Sequence, residues 1–329
     1  MSDEAAIEVD GQSIRISSPG KVLFPEQGWT KLDVVEHFIG CASGALRAVF
    51  GRPSLLKRWP HGVGARPFFQ KRVDESMGET VIVRFPSARP GRMFVPRTTS
   101  DIVKMVQLGC IDLNPWPVRA EDTDHPDEMR LDLDPTPGIP WADVRDVAQV
   151  CRGILDEVGL VSWPKTSGSR GIHIYVRIEP EWTFHEVRRA VLALAREAGR
   201  RSPKATTAWW KEERHGVFID FNQTARDKTL ASAYSVRPTG FVSVPFSWDE
   251  LDDVEIEDFP LDRFRLRWEE VGDLLEVMDE TPGRLDTLTE WVVRDEADGL
   301  GDAPWPPHYP KQPGEPPRVT PSRRRREDK

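Results

Sequence analysis

Hydrophobic positions along the chain switch between a period of two and a period near 3.6, which predicts strands interleaved with helices. Ile7 and Val9, then Ile14 and Ile16, alternate with polar residues, and Asp10-Gly11 between them reads as a hairpin turn. Thr30 caps a helix in which Val34, Val35, Phe38 and Ile39 recur at helical spacing. Residues 80–95 predict a second hairpin and residues 100–109 a short amphipathic helix. In Met129-Arg130-Leu131-Asp132-Leu133-Asp134-Pro135 the apolar residues share one strand face, Asp132 and Asp134 the other, and Pro135 with Pro137 ends the strand. Val144, Val147, Ile154, Leu155 and Val158 mark a helix over 141–159 that stops at Gly159. A strand at 160–164, a Gly-containing loop and a strand at 172–176 follow, and Thr183-Phe184-His185-Glu186 is a capping box opening a helix to Gly199. An apolar strand then ends in Asp220, and residues 261–278 and 284–294 read as acidic surface helices. The expected organisation is one folded unit over residues 1–300 and a Pro-rich, disordered tail over 301–329 with a basic tip at 323–326.

Size and composition narrow the class. A chain of 329 residues can bury a substantial core. It has no apolar run long enough for a membrane and no signal-peptide core at its start. Cys41, Cys110 and Cys151 form no C-x-x-C pair, which points to a reduced cytoplasmic protein without structural zinc. The net charge of −9 argues at first against nucleic acid. Its distribution reverses that: residues 248–302 hold 20 acidic residues against five arginines, so the rest of the chain carries about +6.

The candidate chemistry lies in a few stretches. Two carboxylates side by side on a strand repel unless a cation lies between them. Asp132 and Asp134 are therefore either a solvated acidic face or a divalent-cation site, since Mg²⁺ and Mn²⁺ favour carboxylate oxygen and leave positions open for phosphates. Lys165-Thr166-Ser167-Gly168-Ser169-Arg170-Gly171 has the small residues, glycines and cations of a backbone nest for an anion, or of a plain Gly-rich hairpin. It is not a Walker A loop, because a strand replaces the helix, and its G-x-x-G lacks the flanking helices of a KH clamp. His173 shares a strand face with Tyr175. Asp220 is a third strand-end acid, followed by Arg226, Lys228 and Arg237. Lys21 in a loop and Lys31 in a first helical turn, set against the helix dipole, are ordinary surface lysines or an anion-binding pair. Phe68 and Phe69, adjacent in a strand, point to opposite faces, one of them inward. With Arg66, Lys71 and Arg72 they make a base-stacking platform or a core strand with basic edges.

Taken in order, Ser18-Pro19-Gly20-Lys21-Val22-Leu23-Phe24-Pro25, Phe68-Phe69-Gln70-Lys71, Leu131-Asp132-Leu133-Asp134-Pro135, Thr166-Ser167-Gly168-Ser169-Arg170-Gly171-Ile172-His173, and Phe218-Ile219-Asp220 with Ala233-Tyr234-Ser235-Val236-Arg237 carry a resemblance. From about residue 18 to about residue 249 the chain resembles the primase-polymerase domain of bacterial DNA ligase D, in the archaeo-eukaryotic primase superfamily. The resemblance implies an α+β fold, with mixed and antiparallel central sheets flanked by helices and an N-terminal and a metal-binding lobe in one unit. It implies a template-dependent nucleotidyltransferase that adds nucleotides, ribonucleotides preferred, to DNA 3′ ends during gap filling or end processing in double-strand break repair by non-homologous end joining. Asp132, Asp134 and Asp220 would hold two divalent cations, Mn²⁺ or Mg²⁺. Ser167, Arg170, His173, Lys228 and Arg237 would bind the NTP or dNTP. Phe68 and Phe69 would stack on template bases, and Lys21 and Lys31 would grip a downstream 5′-phosphate.

The implied partners are gapped or broken DNA, a separately supplied DNA ligase (no K-x-D-G motif occurs) and an end-binding protein, in the bacterial cytoplasm at the nucleoid. Two departures bear on this. Asn114 stands where relatives carry a His before Pro-Trp, and Pro238-Thr239-Gly240 is shorter than their loop with a second arginine. Two other functions fit the same motifs: a primase that starts chains on single strands, and a non-catalytic DNA-end binder docking through Lys21, Lys31 and the tail.

Overall fold

Asp10 and Gly11 both take positive φ, 52° and 71°, as a two-residue hairpin turn requires, and join β1 (Glu4–Val9) to β2 (Gln12–Ser17) in the computed structural model, which describes residues 4–312 and 315–318. β3 (Val22–Phe24) pairs with β4 (Trp29–Thr30), and α1 (Lys31–Gly40) begins at the expected N-cap Thr30, which forms a full capping box with Asp33. After α2 (Ala42–Val49) come β5 (Ser54–Arg58), β6 (Phe68–Gln70), β7 (Thr80–Phe85) and β8 (Ala88–Phe94). These four form a sheet in the order β6-β5-β8-β7, antiparallel throughout. α3 (Thr99–Gln107) follows, and β9 (Asn114–Pro115) pairs with β5.

A second sheet is built on β10 (Glu128–Pro135). α4 (Trp141–Glu157), β11 (Ser162–Thr166), β12 (Ile172–Arg177), α5 (Phe184–Arg201), β13 (Ala205–Thr206) and β14 (Val217–Ile219) complete it. The strand order is β11-β12-β10-β14-β13, with only the β13–β14 pair parallel, so β10 is central. Met129, Leu131 and Leu133 are fully buried, and α4 and α5 pack across β10. The opposite face of β10 carries Glu128, Arg130, Asp132 and Asp134 and is turned toward the first sheet. There Arg130 Nη1 donates to Pro115 O of β9 at 2.8 Å.

Buried ion pairs brace the two sheets. Arg52 donates through both terminal nitrogens to Asp127, at 2.6 and 2.9 Å, while Arg130 Nε and Arg177 Nη1 donate to Glu128 at 2.6 and 2.5 Å. Arg52, Arg130, Arg177 and Glu128 are all buried.

Two expectations are corrected. The acidic stretch 261–278 is helical only in α6 (Phe264–Val271), because Gly272 at φ 64° ends it; α7 (Asp286–Ala297) forms as expected. Residues 301–312 and 315–318 are not a disordered tail but a packed strap. Arg188 of α5, fully buried, donates to Asp302 Oδ1, Ala303 O and Pro304 O, and its guanidinium lies 4.1 Å from the ring centroid of Trp305. Trp305 stacks on His185 in turn. The basic tip at 323–326 lies outside the described residues. Among the described residues no helix is long and apolar enough to cross a membrane.

Candidate active site

Strand register brings the acids together. Antiparallel pairing sets Asp132 opposite His173 on β12 and Asp134 opposite Phe218 on β14. Asp220 follows β14 directly, its N–H donating to Asp132 O at 2.8 Å. Gln223 Nε2 bridges the two carboxylates, donating to Asp132 Oδ2 at 3.2 Å and Asp220 Oδ2 at 3.1 Å. Burial together with the charges of Asp220 and Asp134 pushes the Asp132 carboxyl up to about 7. Burial also raises that of Asp220.

Around these acids is an open cleft of about 380 Å³ between the two sheets. Asp132, Asp134, Ser167, Arg170, His173 and Arg237 line it from one side, and Lys57, Phe69 and Asn114 from the other. Arg170 Nη2 is 3.5 Å from Asp134 Oδ1, and His173 Nε2 is 3.4 Å from Asp132 Oδ1. Gly171 has to be glycine, since a Cβ there would lie 2.1 Å from Leu133 O. Arg237 runs over Gly168, and its buried Nε has no hydrogen-bond partner among the described residues.

The anion nest takes a different form from the one expected. The N–H groups of Ser169, Arg170 and Gly171 do converge, at 3.1, 3.1 and 2.9 Å, but on Ser167 Oγ. Lys165 is no part of that loop's surface. It is fully buried on β11, with Nζ 2.7 Å from His173 Nδ1 and 2.5 Å from Ser243 Oγ, and burial drives its pKa well below the usual value. His173 is likewise held well below the usual imidazole range, by burial and by the charges of Lys165 and Arg237.

Five expected residues do not line the cleft, among them Asp220, which is joined to it through the Gln223 bridge to Asp132. Lys228 borders a neighbouring hollow with Lys71 and Asp227, its charge still acting on Asp220. Phe68 and Phe69 are both about half exposed, because β6 is a short edge strand with neither face covered; only Phe69 reaches the cleft. Lys21 and Lys31 lie together elsewhere, with Lys31 N donating to Lys21 O. Lys21 Nζ donates to Pro60 O at 2.6 Å and the buried Lys31 Nζ to Ser17 O at 2.5 Å. Burial, then the charge of Lys21, lowers the Lys31 pKa.

Sequence reasoning missed Lys165 as a buried partner, Gln223, and the set in which Lys57 Nζ and Asn114 Nδ2 both donate to buried Asp112. Only the period-two phase of β11 pointed to Lys165; Gln223 carried no signal.

Among the described residues no three His, Cys, Asp or Glu side chains converge closely enough to enclose a cation unaided. The donor chemistry nonetheless fits one. Three hard carboxylates adjoin, burial and the neighbouring acids hold Asp132 toward its neutral form, and the Gln223 amide hydrogens sit between two carboxylates where a cation would neutralise both.

The family model described as LigD, primase-polymerase domain, matches residues 30–275. The multifunctional non-homologous end joining protein LigD of Mycolicibacterium smegmatis is 30% identical over 310 residues, covering 91% of this chain and 40% of the relative. Its counterpart in Pseudomonas aeruginosa is 32% identical over 248 residues, covering 74% of this chain and 30% of the relative. The chain thus spans well under half the length of these curated relatives. Among solved structures, the polymerase domain from Mycobacterium tuberculosis Ligase D in complex with DNA aligns with a TM-score of 0.75 at 29% identity, over 82% of this chain and 99% of that one.

Proposed function

Because this chain belongs to the LigD primase-polymerase domain family, we propose that it is a template-dependent nucleotidyltransferase extending DNA 3′ ends, ribonucleotides preferred, in gap filling or end processing at double-strand breaks. The observation that carries the reading is the gathering of Asp132, Asp134 and Asp220 beside Ser167, Arg170, His173 and Arg237. An acid cluster facing cationic and neutral donors is what a nucleoside triphosphate with its metal ions needs.

Asp132, Asp134 and Asp220 would hold two divalent cations, Mn²⁺ or Mg²⁺. Bound there, such ions supply charge neutralisation at the attacking 3′-oxygen and the departing pyrophosphate. Ser167 Oγ accepts three backbone N–H groups, so its own hydrogen is left to donate to a phosphate oxygen. Arg170 exchanges its long contact with Asp134 for a phosphate. The unpartnered Arg237 Nε gains the acceptor it lacks; an unsatisfied buried donor costs about 1–3 kcal/mol. Lys228 contributes its charge from the adjoining hollow. The exposed rings of Phe68 and Phe69 offer stacking faces to template bases, and Lys21 with Lys31 offers two cations to a downstream 5′-phosphate. A DNA ligase activity and an end-binding protein would complete the repair.

Single-turnover primer extension tests the reading. Asp132→Ala and Asp134→Ala are each expected to lose roughly a thousandfold in nucleotide addition, the scale of removing a preorganised electrostatic stabiliser. Affinity for primed DNA should persist, and the wild type should show higher kcat/KM with rNTPs than with dNTPs. Near-normal extension by both variants would return the aspartates to a solvated acidic face.

A further inference from the structure

Lysine is rarely buried without an anionic partner. Lys165 is fully buried, yet among the described residues its Nζ hydrogen-bonds only Ser243 Oγ and His173 Nδ1. The Ser243 hydroxyl donates its hydrogen to Thr166 O at 2.6 Å, so it meets Lys165 as an acceptor. On the far side of the imidazole, Nε2 faces a carboxylate oxygen of Asp132 at 3.4 Å. When ionised, that carboxylate favours a hydrogen on Nε2, which leaves the ring's lone pair at Nδ1, toward the Lys165 N–H. Both sides of the ring therefore favour one tautomer. Two hydrogens on Nζ suffice for Ser243 and His173, so the arrangement does not depend on a third.

We propose that Lys165 is a positioning residue for this site: it holds the His173 ring with hydrogen on Nε2 and turned into the cleft, as a fixed donor to an oxygen of the incoming triphosphate. This rests on the nucleotide site proposed above. The cleft would then use a buried lysine to aim a neutral donor, rather than presenting its amine to the ligand.

The test is nitrogen NMR of the full chain carrying ¹⁵N-histidine, with the His173 ring assigned by its loss in His173→Ala. The wild type should show Nδ1 as the unprotonated, pyridine-type nitrogen. Lys165→Met, close in length but without a donor, should average or reverse the two nitrogens. It should also weaken ATP binding by about tenfold, the scale of one lost hydrogen bond, while affinity for primed DNA is unchanged. Lys165→Gln, which restores an N–H, should recover part of both signals. A wild-type spectrum with hydrogen on Nδ1 would overturn the proposal, and decides the matter even if Lys165→Met does not fold. An unaltered His173 spectrum in Lys165→Met overturns it equally. If the tautomer shifts but neither Lys165→Met nor His173→Ala changes ATP binding, the lysine–histidine relation stands and the nucleotide reading of the cleft falls.

Discussion

Asp132 keeps its proton to an unusually high pH because the folded chain buries its carboxyl away from water and sets other acids beside it. The consequence for stability has a definite sign. Between about pH 4 and pH 7 the folded carboxyl holds a proton that the unfolded one has released, so stability falls as pH rises through that window. Metal-free protein should therefore melt at lower temperature at pH 8 than its other groups dictate, and Asp132→Asn should flatten that decline. Thermal melts across the window check this; parallel profiles for the two proteins would contradict it. The lysines make a second residue-scale case. Lys21→Ala should weaken binding to a gap carrying a 5′-phosphate by about 1.5–3 kcal/mol and leave the unphosphorylated gap unaffected. Lys31→Ala should share that selectivity but also lower the melting temperature, because it abandons Ser17 O. Fluorescence anisotropy with both gaps separates this from a general electrostatic surface, on which both would weaken alike. The acids were legible as residues because alternation along one strand is a local property. The partnership of Lys165 and His173 was not, since it depends on which strands pair.

At the scale of elements, the hairpin at Asp10-Gly11, the N-cap at Thr30 and the capping box at Thr183 were visible because each is closed within a few residues. The central place of β10 was hidden, as β12 and β14 reach it from 40 and more residues away in the chain. What anchors the entry to that strand was hidden too. Glu128 accepts from Arg130 and Arg177 and lies 3.5 Å from Arg52, with all four side chains buried. Removing one member of such a set leaves uncompensated charge, so Glu128→Gln should cost about 3–5 kcal/mol in urea denaturation. A loss below about 1 kcal/mol would show the network to be dispensable. Asp127 beside it is held down to about 2 by Arg52, Arg177 and Arg119 against its burial. Its contribution is present above about pH 4 and is lost as pH falls toward 2, opposite in sense to that of Asp132.

For the whole molecule, the Pro-rich stretch after 301 misled because composition records what a segment cannot do alone, not what it can lie against. Arg188 is the reason it packs, with hydrogen bonds to Asp302, Ala303 and Pro304 on one side and from Nε to Asn222 Oδ1, at 2.7 Å, on the other. Asn222 N in turn donates to Asp220 Oδ1. A chain ending at residue 301 should thus lose about 3 kcal/mol or more, through a buried guanidinium stripped of its one ion-pair partner and two carbonyl acceptors. It should also extend primers more slowly, because the mooring of Asp220 slackens. An unchanged melting curve would refute this. The bracing of the two sheets by Arg52, Arg130 and their acceptors reaches further still. It holds the wall with the exposed phenylalanines at a set distance from the wall with the acids. For the proposed polymerase, a braced gap leaves little room for one wall to shut down on a correct base pair and stay ajar over a wrong one. Selection of the base would then come from pairing and stacking alone, without the second sieve that closure provides. Such an enzyme would tolerate mismatched and poorly aligned ends, and would spend its accuracy on reaching across a break rather than on copying it faithfully.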